Sequence, residues 1–202
     1  MARSFQRSPL ALAVLVLLYE APMHPYRMQQ LIKERGKDKV INVERRASLY
    51  QTINQLQRAS LITVRETSRE ENRPERTIYE LTGKGLQTAL AWMREILSTP
   101  TEEFPEFPAA VSFLALLTPE DALRQLEMRE SALANRIADI DSELQRFGAV
   151  LLRVFLLEEE LMRATLDAEL RWVRSVIADL RSGQLTWNHE WARTFVPPET
   201  ED

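Results

Sequence analysis

Apolar residues recur at helical spacing in the first third of the chain and predict three helices. The first covers residues 8–20, where a serine–proline pair precedes a wholly apolar run, as is typical of helix starts. The second covers residues 25–35 and ends at Gly36, because glycine commonly terminates helices. The third covers residues 47–59.

The third predicted helix has two chemically different faces. Leu49, Ile53 and Leu56 follow one another at spacings of four and three, so they share one face and are predicted to be buried. The opposite face and its edges carry residues that can meet another molecule: Ala47, Ser48, Tyr50, Gln51, Asn54 and Arg58. An amphipathic pattern is also typical of an ordinary surface helix whose polar face is merely solvated.

The next two segments alternate apolar and polar residues and predict a β-hairpin. Residues 61–66 and 77–81 are rich in β-branched side chains, which favour strands. The sequence SREENRP between them is polar and ends in Pro74, as expected of a turn. A helix pair followed by a hairpin is the order of a winged helix-turn-helix, which can place a helix in a DNA major groove and a hairpin on the flanking backbone.

The side-chain chemistry of these elements agrees with DNA recognition. Glutamine and asparagine amides can pair with adenine edges, and an arginine guanidinium can pair with guanine. On or beside the hairpin, Arg69, Arg73 and Arg76 can reach phosphates or enter a narrow minor groove. Glutamates are interspersed with these arginines, so solubility alone is the alternative explanation of the hairpin charges.

Helical spacing resumes after Thr82 and continues to the end of the first half of the chain. Residues 99–108 contain three prolines and three glutamates and are predicted to be a linker. The sequence AAVSFLALL then predicts a short apolar helix. We therefore divide the chain into a winged helix-turn-helix domain at residues 1–98, this linker, and a helical domain at residues 109–202. The expected fold class is mostly α with a small β-hairpin.

Two long amphipathic helices are predicted in the C-terminal half. The first starts at Thr118 and Pro119, a capping hydroxyl followed by a proline, and the second runs from about Leu152 to Arg181. Their heptad-like apolar pattern favours a coiled-coil seam. We predict that a second chain is bound through Leu126, Leu133, Ile137, Ile140, Leu144, Leu166, Leu170, Trp172, Val173, Ile177 and Leu180. The alternative is an intramolecular antiparallel hairpin that needs no partner.

Charge is distributed unevenly along the 202 residues. The formal net charge is −4, but residues 1–100 hold 16 Lys and Arg against 10 Asp and Glu, a net of +6. Residues 101–202 hold 10 against 20, a net of −10. A basic first half and an acidic second half fit a protein of which one part meets a polyanion.

The apolar run from Leu10 to Tyr19 follows two arginines and therefore also resembles a secretory signal peptide. It is too short to span a membrane, which takes roughly 20 apolar residues, and no small-residue cleavage site follows it cleanly. We interpret the run as a buried first helix. No later segment is predicted to cross a bilayer, and we expect a cytoplasmic protein.

Catalysis and metal binding are not expected. The chain has no cysteine and only two histidines, His24 and His189, so disulfides and thiolate metal sites are excluded and a histidine-rich zinc site is disfavoured. It also lacks a glycine-rich phosphate loop and a plausibly spaced Ser-His-acid set. We therefore expect no enzyme activity, no cofactor and no metal.

Four aromatic residues near the junction of the two predicted domains are candidates for an effector site: Trp92, Phe104, Phe107 and Phe113. Apolar clefts between helices favour small ligands, which is the basis of this hypothesis. The alternative is that the four side chains belong to a core or to a dimer contact.

Several motifs together resemble the PadR family of bacterial transcriptional regulators. In the first half these are MHPYRM, ASLYQTINQL followed by SLI, and RPERTIYELTGKG. In the second half TPEDALRQL and LRWVRSVIADLRSGQLTW resemble the dimerisation region of the longer members. The resemblance covers residues 8–187. Members of the family often have a glycine before the first strand, where this chain has Ser60.

The resemblance implies a winged helix-turn-helix with helical dimerisation elements. It also implies homodimers that bind palindromic promoter sites, usually as repressors, many of them released by small molecules such as phenolic acids or drugs. The residues that match the family's recognition helix are Ser48, Leu49, Tyr50, Asn54 and Leu56. Because Leu49 and Leu56 are predicted to be core residues, they are not expected to contact DNA.

The sequence thus predicts a homodimeric, sequence-specific transcriptional regulator whose partner is double-stranded DNA, with a small-molecule effector as a further candidate ligand. A winged-helix module that binds another protein, with the coiled coil as its scaffold, is the alternative. Fold alone does not distinguish these two functions. The basic first half and the hairpin arginines favour DNA, and retention on heparin that is lost with salt would separate the two cases.

Overall fold

The computed structural model describes residues 7–43, 46–68 and 76–188, without the side chains of Arg46, Ser68 and Arg76. The chain divides into two compact units, Met1–Glu102 and Glu103–Asp202. The boundary falls inside the segment predicted as a linker, residues 99–108. Each unit is described by itself below.

The N-terminal unit begins with two short helices, α1 at Pro9–Glu20 and α2 at Pro25–Glu34. The Ser8 hydroxyl caps α1 by accepting a hydrogen bond from the Ala11 N–H at 3.1 Å. The His24 imidazole caps α2 through Nδ1, which accepts from the Tyr26 N–H at 3.1 Å. Both caps precede a proline, whose missing N–H costs nothing in the first turn of a helix.

Helix α3 spans Arg46–Arg58 and has the boundaries of a recognition helix. It ends in a Schellman motif, in which the Ser60 N–H donates to the Gln57 carbonyl and the Leu61 N–H to the Leu56 carbonyl. This motif needs a left-handed residue, and Ser60 takes that conformation at φ 60°. A serine there carries strain that glycine would avoid, which explains why glycine is the usual residue at such positions.

Strands β1 at Ile62–Ser68 and β2 at Arg76–Leu81 form the antiparallel hairpin. The register pairs Ile62 with Leu81 and shifts between Val64 and Glu66, which marks a β-bulge. Met23 extends the sheet by an isolated bridge to Tyr79, with two backbone hydrogen bonds of 3.1 Å. The connection between α1 and α2 is therefore fixed to the second strand of the hairpin.

Helix α4 at Gly83–Ser98 completes the N-terminal unit. The core of the unit lies among α1, α2, α3 and the start of β1. Its fully buried large aliphatic and sulfur-containing side chains are Val14, Leu15, Met28, Val43, Leu49, Ile53, Leu56 and Ile62. The predicted burial of the apolar face of α3 is confirmed, and each such side chain stabilises the unit by roughly 1.5–3 kcal/mol.

The C-terminal unit begins with α5 at Glu106–Ser112 and a short 3₁₀ turn at Leu114–Leu116. The sequence had predicted one helix over AAVSFLALL, residues 109–117. That prediction was wrong in its boundaries, because helix formation starts three residues earlier and stops at Phe113, whose φ of −115° and ψ of 22° leave the α region.

Helices α6 at Pro119–Gly148 and α7 at Leu157–Ser182 form an antiparallel pair. The predicted start of the last helix near Leu152 was wrong, because residues 149–156 form a turn that contains a 3₁₀ segment at Arg153–Phe155. Helix α6 ends at Gly148, and α7 ends before Gly183, which has a left-handed φ of 76°.

The seam between α6 and α7 is apolar, with charged pairs along its edges. The buried residues of the seam are Leu126, Leu133, Ile137, Leu170, Val173 and Ile177. Four ion pairs bridge the two helices: Glu127–Arg181, Arg129–Glu169, Glu130–Arg174 and Asp141–Arg163, at 2.5–2.8 Å. Exposed pairs each contribute only about 0–1 kcal/mol, so they fix the register of the helices more than they stabilise the unit. Within the described ranges every helix is too short or too polar to cross a bilayer.

Candidate nucleic-acid interface

Helix α3 exposes the polar face that the sequence predicted. The side chains of Ala47, Gln51, Asn54 and Arg58 are exposed, and Ser48 is half-buried at the edge. Thr52 is buried on the other side, where its hydroxyl donates to the Ser48 carbonyl at 2.8 Å. The exposed amides and guanidinium are therefore presented together on one side of a helix that its apolar face holds in the core.

Tyr50 lies at the edge of this polar face, next to two other tyrosines. Its ring borders a shallow depression shared with Tyr26 and Gln29 of α2. Burial raises the pKa of the Tyr79 phenol above its ordinary value, and nearby Tyr50 adds to the rise. Tyr79 therefore stays protonated at neutral pH. The position of Tyr26 beside α3 was not predicted from the sequence.

Helix α2 is braced against the segment that leads into α3. The Gln29 amide donates to the Val43 carbonyl at 2.9 Å, and Val43 itself is buried. Gly36 allows the intervening turn by taking a left-handed φ of 66°. These contacts set where α3 begins relative to α2, which is the geometry on which a helix-turn-helix depends.

The base of α4 holds the C-terminal end of α3. The Thr82 hydroxyl caps α4 and donates to the Leu61 or Ser60 carbonyl, both at 2.9 Å, while the Lys84 ammonium donates to the Ala59 carbonyl at 2.8 Å. A cation at a helix C-terminus is also favoured by the helix dipole. Sequence reasoning missed this function, and the signal for it was the TGKG sequence directly after the second strand.

Ion pairs neutralise part of the positive charge of the N-terminal unit. Arg27 pairs with Glu34 at 2.9 Å, and Arg35 forms a bidentate pair with Glu20 at 2.6 and 2.7 Å. The hydrogen bond from Arg35 lowers the pKa of the Glu20 carboxyl below its usual range. The excess of six positive charges is thus not spread evenly over the surface of the unit.

The hairpin arginines are only partly within the described residues. Arg69 and Arg73 lie outside them, and Arg76 is described as the first residue of β2 without its side chain. Arg65 sits at the bulge and pairs weakly with Glu80, with 3.9 Å between Nη1 and Oε2. Phosphate contacts by Arg69, Arg73 and Arg76 stay a prediction.

The four aromatic effector candidates have different surroundings. Trp92 packs at the edge of the N-terminal core, while Phe107 packs edge-to-face on Trp172 with 5.9 Å between ring centroids and lies under the Arg129 guanidinium at 3.4 Å. Phe104 and Phe113 are exposed. Phe107 therefore has a structural function in the C-terminal unit, and an effector site formed by these residues stays a prediction.

The residues predicted to bind a second chain are largely used inside the chain. Seven of the eleven are buried within the protomer: Leu126, Leu133, Ile137, Ile140, Leu170, Val173 and Ile177. Leu144, Leu166 and Leu180 are half-buried, and Trp172 is exposed at 41%. The intramolecular hairpin that the sequence left as the alternative is thus formed, and a second copy has to use other side chains as well.

The described residues contain no group of three or more His, Asp or Glu side chains that could hold a metal ion. Charged side chains on α6 and α7 instead form the ion pairs described above. Asp141, for example, accepts from the Arg163 guanidinium at 2.6 Å. The arrangement on α3, with donors and acceptors on one exposed face, is suited to hydrogen bonding with base edges.

Comparison with known proteins agrees with this geometry. Residues 14–91 match the model of the transcriptional regulator PadR-like family. A search of curated proteins gives no significant match. The matched range contains α2, α3, the hairpin and most of α1 and α4, so it covers the elements that form the candidate interface. The family is one of transcriptional regulators and not of enzymes.

Solved structures match over both units. Bacillus subtilis PadR in complex with operator DNA has a TM-score of 0.68 and 17% identity, covering 87% of this chain and 99% of that one. The same protein with p-coumaric acid has a TM-score of 0.69 and 18% identity, covering 85% and 98%. The Vibrio cholerae virulence activator AphA has a TM-score of 0.64 and 17% identity, covering 86% and 99%. At these identities the likeness shows a shared fold.

Proposed function

Because this chain belongs to the PadR-like family of transcriptional regulators, we propose that it binds a palindromic promoter site as a homodimer and represses transcription. The observation that carries the proposal is the exposed face of α3, with Gln51, Asn54 and Arg58 on the side opposite the buried apolar residues. These are the side-chain types that read adenine and guanine edges in the major groove.

Three parts of the interface have separate functions in this proposal. Helix α3 reads bases through Ala47, Ser48, Gln51, Asn54 and Arg58, while Tyr50 at its edge donates to a phosphate. The hairpin arginines Arg69, Arg73 and Arg76 contact the flanking backbone and position the protein without reading sequence. The structure of Bacillus subtilis PadR with operator DNA supports this division by showing that the shared fold binds DNA in that relative.

The proposal is tested by selecting bound sequences from random double-stranded DNA with the purified protein. Two-fold symmetry predicts an inverted repeat whose half-sites lie one helical turn apart or a multiple of it, roughly 34–36 Å per turn. The affinity for the selected site should fall steeply with salt, because each phosphate contact releases counterions. Failure to enrich any sequence at low salt would contradict the proposed function.

Release by a small molecule is the second part of the proposed function. The same fold binds p-coumaric acid in Bacillus subtilis PadR, and the candidate contacts here are Trp92, Phe104, Phe107 and Phe113. A small aromatic acid added to the protein on its selected site should raise the dissociation constant for DNA and change the tryptophan fluorescence. A panel of phenolic acids and aromatic drugs that leaves both quantities unchanged would argue against effector control.

A further inference from the structure

The turn between α6 and α7 exposes more large apolar side chains than its surroundings. In residues 147–161, six of these side chains are 48–80% exposed: Val150, Leu152, Val154, Phe155, Leu157 and Leu161. We call residues 147–161 the apolar turn. Its exposed apolar surface amounts to several hundred Å², whereas the largest patch on a typical monomer is about 300–600 Å² and often functional.

Hydrogen bonds hold the apolar turn in one conformation. The Phe147 carbonyl accepts from the N–H groups of Val150 and Leu151 at 2.9 and 2.8 Å, which closes the end of α6. The Leu152 carbonyl accepts from the Phe155 N–H at 2.9 Å, and the Leu156 side chain is buried beneath the turn. The apolar side chains are therefore presented on an ordered backbone, which lowers the entropy lost on binding.

A bidentate ion pair joins the turn to the first turn of α7. The Arg153 guanidinium donates to both Glu160 carboxylate oxygens, with Nε–Oε1 at 3.0 Å and Nη2–Oε2 at 2.8 Å. This contact raises the pKa of Arg153 and lowers that of Glu160. It satisfies the charge of Arg153 inside the turn, so the side chains around it present a mainly apolar surface.

We propose that the apolar turn is a surface on which a second copy of this chain docks. This inference rests on the homodimer of the proposed function, since a palindromic site needs two copies. The seam residues that a second copy was expected to contact are buried within the protomer. A dimer therefore needs apolar surface elsewhere, and the apolar turn supplies it.

The area and the charge of the turn both favour a second copy. Each partner of a standard interface contributes roughly 800 Å², and the apolar turn provides a large share of that area on each chain. In a two-fold dimer both turns are covered at once, so neither copy is left with an exposed patch. A membrane surface fits less well, because three glutamates, Glu158–Glu160, follow the turn directly and anionic lipids repel them.

The test compares the mass of the protein in solution, measured by light scattering without DNA, among three chains. The unmodified protein is expected to have the mass of two chains. Leu152→Asp and Val154→Asp place a charge in the contact and should raise the dimer dissociation constant at least tenfold. Met128→Asp is the matched control, because Met128 is a 67% exposed apolar residue of α6 outside the turn, and it should leave the mass unchanged.

A second measurement uses the absence of cysteine from the chain. A single cysteine introduced as Leu152→Cys should react with a maleimide more slowly as protein concentration rises, while Met128→Cys should react at a constant rate. A single-chain mass for the unmodified protein would overturn the proposal, as would a dimer that Leu152→Asp and Val154→Asp leave intact. Loss of DNA binding with the dimer unchanged would count against the proposed function and not against this surface.

Discussion

Replacing Gly85 by alanine is expected to destabilise the N-terminal unit by about 3 kcal/mol or more, at the upper end of the cost of overpacking a core. A Cβ at this position would lie 2.0 Å from the Leu61 carbonyl oxygen and 2.7 Å from Leu81 Cδ1. Gly85 is buried in the first turn of α4. The clash is therefore with backbone in the interior of the unit, and no side-chain rotation can relieve it.

The Leu61 carbonyl cannot move away without losing other contacts. It accepts from the Thr82 N–H at 3.1 Å and from the Thr82 hydroxyl at 2.9 Å. Leu61 also provides the last N–H of the Schellman motif that ends α3. A shift of this peptide would disturb the cap of α4 and the end of the recognition helix together, so DNA affinity should fall along with stability.

Thermal unfolding followed by circular dichroism measures the effect. A loss of about 3 kcal/mol in a unit of this size lowers its Tm by more than about 10 °C. Gly83→Ala is the matched control, because a Cβ at Gly83 meets nothing within 4 Å and its backbone is helical. A Gly85→Ala protein that melts with the unmodified one would show that α4 does not press on Leu61 in solution.

The sequence predicted elements well where one periodicity dominated. Leu49, Ile53 and Leu56 define α3 because a helix that buries one face needs apolar residues at spacings of three and four. The hairpin followed from β-branched alternation and a polar turn. Boundaries were less accurate where local patterns compete, as at Phe113, where an apolar run continues although the backbone leaves the helix.

What the sequence could not provide was the choice of partner for an apolar face. Leu133 and Val173 carry the same heptad pattern whether they meet each other in one chain or a second chain. The structure resolves this choice for the seam, because α6 and α7 pair within the protomer. The contact of Lys84 with the end of α3 was equally invisible, since it joins residues 25 positions apart through a backbone carbonyl.

Changing Asn54 to alanine is expected to relax base preference at one position of each half-site rather than to weaken binding uniformly. An asparagine amide that pairs bidentately with adenine contributes about 1–3 kcal/mol of discrimination. Its loss should reduce the preference for that base roughly 5- to 150-fold, at about 1.4 kcal/mol per factor of ten. Alanine is a better helix former than asparagine, so α3 itself should not be weakened.

The measurement is competition binding on the selected site and on variants of it that differ at single positions. Gln57→Ala is the matched control: Gln57 is also an exposed amide of α3, but it lies near the C-terminal end of the helix at the edge of the polar face. The control should keep the base preference of the unmodified protein. If Asn54→Ala lowers the affinity for every sequence by the same factor, Asn54 contacts the backbone and a different residue of α3 reads that base.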